Sequence, residues 1–180
     1  AIGLVMPIMF AVVQAAGEFI GLQMGLAFAS FFDMSSGTNI MVLSRILYMV
    51  TLLMFLAFNG HLMVLETLVM SFETLPIGIG SLNPNAFELL ARYAGTIFAS
   101  GMLLALPLVA SLLIINLSLG ILNRSAPQLT VFNIGFPTSL TVGIVLLMVL
   151  MSDIGSFLQQ LFSQGISFMQ SLIETMAPLN

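Results

Sequence analysis

Residues 17–39 read GEFIGLQMGLAFASFFDMSSGTN, and this stretch decides how the rest of the chain is read. Its first half places Gly17, Gly21 and Gly25 four apart, with Ala29 in step, so a helix through them would carry one face of small residues. Its second half gathers Phe28, Phe31 and Phe32 and then turns polar at Asp33, Met34, Ser35, Ser36 and Gly37. Small residues on a helix face let a second backbone come close, which favours association where lipid removes the usual hydrophobic drive. The run from Asp33 to Asn39 is a loop by its turn chemistry. A helix built for close packing therefore runs into an aromatic loop.

The whole chain supports an apolar setting for that helix. Of 180 residues, 59% are hydrophobic and 6% are charged, against about 25% charged in soluble domains. Too few polar residues remain to coat a water-facing surface, so the chain is expected to be an integral membrane protein or buried throughout in a hydrophobic assembly. The three basic residues are all arginine, which leaves almost nothing to neutralise phosphates, so nucleic acid is excluded as a partner. Three arginines are also too few to orient the chain by the positive-inside rule. The absence of cysteine removes disulfides, thiol nucleophiles and thiolate metal sites.

Breakers divide the chain into helical pieces. Residues 2–26 are long enough to cross a hydrocarbon core, with a kink expected at Pro7. The apolar run 40–72 is too long for one upright span, and Asn59-Gly60-His61 in its middle predicts a kinked helix or two pieces. Residues 73–85 form a Gly- and Pro-rich loop. Asn83 then offers a cap with Pro84 at the first helical position, and the helix it starts runs towards Asn123 past a kink at Pro107. A polar break at 123–137 carries Asn123, Arg124 and Gln128. A last apolar run at 138–151 follows. From 152 to 176, Ile154, Phe157, Leu158, Leu161, Phe162, Ile166 and Met169 keep helical spacing among Ser, Gln and Gly, so this tail is amphipathic. The opening AIGLVMPIMF has neither an initiator methionine nor a basic n-region, which argues against a signal peptide, and it reads as the inside of an apolar helix, which suggests that an upstream part is missing.

Glu18 and Glu66 stand in apolar runs, where a carboxylate is costly and often functional. Arg45 and His61 form no repeated pattern with them, so satisfied carboxylates are favoured over a proton relay. Glu88 and Arg92 stand i, i+4 and predict a local ion pair. His61 is the only histidine, without clustered ligands for a metal, and Ser30, Ser35 and Ser36 lack a nearby base. No cofactor, metal or catalytic constellation is expected, and the chain is read as a non-enzyme. The fourteen methionines fit core filling, or an adaptable contact surface.

Four segments carry a family resemblance: AGEFIGLQMGLAFASFFD, FLAFNGHL at 55–62, TLPIG at 74–78, and GILNRSAPQLTVFNIGFPTSLTVG at 120–143. Together they resemble the FliR family of flagellar export proteins and its relatives in injectisome type III secretion. The resemblance covers essentially the whole chain. It implies an all-α fold of membrane-associated helical hairpins with kinked and broken helices. A FliP-like part at 1–84 would carry a plug loop, and would be fused to a FliQ-like hairpin with an amphipathic C-terminal tail at 85–180. It also implies a core subunit of the protein export gate in the bacterial inner membrane, at the flagellar basal body. Its partners would be FliP and FliQ subunits, FlhB and FlhA, membrane lipid, and the unfolded proteins that pass through. The family's plug loop matches 28–38, although the proline that some members carry after the Asp is missing here. On that reading Gly17, Gly21, Gly25 and Ala29 form a packing interface, and the phenylalanines seal the pore by excluding water. Asn123, Arg124 and Gln128 would supply hydrogen bonds between subunits. The alternative from another class is a secondary transporter or channel for a small solute, which broken helices also fit, although the matching halves and paired midplane charges are missing.

Overall fold

The computed structural model describes residues 2–26, 42–74, 83–125 and 134–176, apart from a few side chains within them. Among these residues every regular element is a helix, as expected: α1 (Ile2–Gln23), α2 (Val42–Ala57), α3 (Gly60–Thr74), α4 (Asn85–Ser125) and α5 (Phe136–Met176). Three of them, α1, α4 and α5, are long and apolar enough to cross a membrane, and the α2–α3 pair makes a fourth if it counts as one bent span.

Helix α1 is the axis of the bundle. Its only polar side chains are Gln14, Glu18 and Gln23, so little of its surface calls for water. Helices α2, α4 and α5 all pack on it. The residues that meet give the directions. Leu4, Pro7, Ile8 and Ala11 border one apolar groove with Phe87, Leu90, Ala91 and Ala94, and further along both helices Val12 and Ala15 meet Gly101, so α1 and α4 run parallel. Phe10 meets Tyr48 and Phe55 while Gly17 meets Ser44, so α2 runs antiparallel to α1. The Tyr93 and Phe168 rings stack at 3.9 Å and 8°, and Asn116 bonds to Ser139 (2.7 Å), so α4 and α5 form an antiparallel hairpin.

Both expected starts and breaks are present, and their chemistry is local. The Asn83 side-chain oxygen accepts from the amide of Asn85 at 3.0 Å and caps α4 ahead of its first full turn. At the other break, Asn59 adopts a left-handed φ of 56°, which Asn tolerates better than most residues. Its carbonyl then accepts from the amides of Leu62 and Met63 (2.9 and 3.3 Å) and starts α3, bent by 67° from α2. The Phe55 ring lies over Gly60, where any side chain would collide with it. The described part of that apolar run, 42–72, is thus two helices joined at an elbow.

Several segment limits differ from expectation: Glu73, Thr74, Asn85, Phe136 and Pro137, expected in breaks, are helical. The apolar run at 138–151 and the amphipathic tail are one continuous helix of 41 residues, α5. The change at Ser152 is a change of surroundings, and nothing there interrupts the backbone: Ser152 and Ser156 return their hydroxyls to the carbonyls of Met148 and Asp153. Asn123 and Arg124 lie in the last turn of α4, ahead of the polar break in which they were placed. A cation there suits the negative end of the helix dipole. Pro7 and Pro107 both stay inside continuous helices.

Candidate functional site

Close helix approach is the structural theme of the region that the sequence singled out. At Gly17, an added Cβ would stand 2.6 Å from the Ser44 Cα and 3.2 Å from a Leu47 methyl. The obstacle at Ser44 is backbone, so it cannot swing aside. The Ser44 hydroxyl donates to the Gln14 carbonyl (3.0 Å), which fastens the same crossing. The partner of Gly17 is thus this chain's own α2. Gly21, one turn on, is buried.

Gly25 is a correction to the expected ladder. It has left α1 and sits in the following turn with φ at 81°, a conformation that glycine adopts without strain. Its amide bonds back to Leu22 and the Leu26 amide to Gly21, a helix-ending arrangement. Four-residue spacing reads the same whether the last glycine continues a helix or ends it. Ala29, Phe28, Phe31, Phe32, Asp33, Met34, Ser35, Ser36, Gly37 and Gln128 lie outside the described residues.

Sequence reasoning missed three further close approaches. Gly101 on α4 faces the opposite side of α1, where an added Cβ would be 2.8 Å from the Val12 carbonyl. On α5, Gly143 receives the Met24 side chain and Gly165 receives that of Met9. Glycines isolated in apolar helical runs gave only a weak signal, because Gly95, Gly120 and Gly155 stand in the same helices with nothing within 4 Å of an added Cβ. Between these contacts lies an aromatic cluster of Phe10, Tyr48, Phe55 and Phe162, with neighbouring ring centroids 5.1 to 6.3 Å apart. It ties α1, α2 and α5 together beside the α2–α3 elbow.

Similarity to known proteins identifies this architecture. Residues 1–165 match the family described as bacterial export proteins, family 1. The chain belongs to that family. It is 52% identical over 173 residues to flagellar biosynthetic protein FliR of Escherichia coli (strain K12), covering 96% of this chain and 66% of that protein. The protein of the same name from Pectobacterium carotovorum subsp. carotovorum is 48% identical over 172 residues, again 96% of this chain and 66% of the relative. The Bacillus subtilis (strain 168) FliR is 33% identical over 177 residues, covering 96% of this chain and 68% of the relative. The chain therefore spans about two thirds of the length of the curated relatives it matches.

The ionisable residues of this export-family chain are dispersed. Glu88 and Arg92 form the i, i+4 pair at 2.8 Å, with both side chains mostly exposed, so its contribution is a few tenths of a kcal/mol (about 0.3–0.5). It is the only ion pair among the described residues. Glu18 is half-buried, while Glu66, Arg45 and His61 are exposed, and His61 stands in the first turn of α3 at the elbow. No group of three or more His, Asp or Glu residues converges among the described residues. Two buried hydroxyls are satisfied within their own helix, Thr51 and Thr67 donating to the carbonyls of Leu47 and Met63, whereas those of Ser44 and Ser139 reach another helix.

Proposed function

We propose that this chain is a core subunit of the flagellar type III protein export gate, forming with FliP and FliQ the channel that passes unfolded flagellar proteins across the inner membrane. The observation that carries this reading is the 52% identity to a flagellar biosynthetic protein over nearly the whole chain. The fold is compatible with it. Helices α2, α3, the middle of α4 and the first half of α5 expose large aliphatic side chains, a surface that needs lipid or neighbouring subunits to cover it. FlhB and FlhA would join the assembly on the cytoplasmic side. The part at 1–84 would correspond to FliP, and the α4–α5 hairpin within 85–180 to FliQ.

In this assembly Phe28, Phe31 and Phe32 close the pore and the 33–37 segment lets them swing aside. Gly21 keeps α1 narrow enough for close approach in the subunit ring, while the space over Gly17 is taken by this chain's own α2. Asn123, Arg124 and Gln128 bond to neighbouring subunits.

Purification of the tagged full-length protein in mild detergent, with partners identified by mass, tests the reading. Recovery of two other small hydrophobic proteins in fixed ratio supports it. A protein recovered alone that moves a small solute in liposomes would favour the transporter alternative. Deletion of 31–37 in the assembled gate should leave the complex intact and raise its ion conductance, and an intact but tight complex would remove the plug assignment.

A further inference from the structure

We draw no further inference here: the strongest candidate, the apolar groove between the first half of α1 and the start of α4, bordered by Pro7, Ala11, Ala91 and Ala94, is an unpartnered face, and nothing in the structure shows what covers it.

Discussion

The two halves of α5 are one helix with inverted surfaces. In the first half the buried positions are small, Ser139 and Gly143, while Ile144, Val145, Met148 and Val149 point outward. In the second half the aliphatic side chains Leu158, Leu161, Ile166, Met169 and Leu172 are buried and the polar ones face out. The difference shows where each half finds its apolar surroundings. The second half takes them from this chain, from α1 to α4. The first half must receive them from lipid or from other subunits, and it spends its inward face on small residues that let neighbouring elements close in.

The largest expected effect comes from truncating a side chain that the second half buries. Leu158 is fully buried, so Leu158→Ala should cost about 2–5 kcal/mol of stability. Val149→Ala, in the bare half, should stay within about 0.5 kcal/mol. Denaturant unfolding in detergent measures both, and equal losses would break the comparison. Charge separates the halves next. Val145→Arg should weaken membrane insertion by about 2.5–3.5 kcal/mol if it lies near the bilayer centre, whereas Ser163→Arg should insert as the parent does. An insertion assay that scores the two alike would show that both halves meet the same medium.

Polar contacts give a smaller contrast. The Ser139 hydroxyl donates to the Asn116 side-chain oxygen (2.7 Å) where the apolar halves of α4 and α5 meet. Ser139→Ala should cost about 0.6–1.5 kcal/mol, the range of such bonds between helices. Thermal unfolding reads it, and no loss would mean that the clasp is replaceable. The smallest effect distinguishes the glycines of α5. An added Cβ at Gly155 meets nothing within 4 Å, so Gly155→Ala should stabilise the helix by about 0.5–1 kcal/mol. At Gly143 the added methyl meets the flexible end of Met24, so the same helical gain should be largely cancelled. A difference between the two variants in unfolding midpoint checks the assignment.

Features written into adjacent residues were readable from the chain alone. Asn59-Gly60 marks the elbow because a left-handed residue followed by glycine ends one helix and starts another. Asn83-Pro84 marks the start of α4 because the cap is completed within three residues. The amphipathic spacing after Ser152 picked out the buried positions of α5, with Phe157 half-buried and the remaining six buried. Gly25 was misread because its left-handed turn depends on backbone dihedrals that spacing does not encode. The candidate site was legible only in part: spacing picked out Gly17, but its neighbour α2 is some thirty residues away along the chain.

Composition and period by themselves determined a helical, lipid-compatible chain, the start of α4, the elbow between α2 and α3, and which face of the C-terminal helix is apolar. These follow from local propensity, capping and the 3.6-residue repeat, all of which act over a few neighbouring residues. Only the tertiary structure decided that α1 is the central helix, with Ser44 pressed on Gly17 and the Val12 carbonyl on Gly101. It also decided that α5 runs unbroken through its change of surface. Hydrophobic attraction has no direction, so an apolar stripe can satisfy itself against any other. Which backbones approach is settled by the fit of small residues to distant segments, and that fit exists only once the helices are packed.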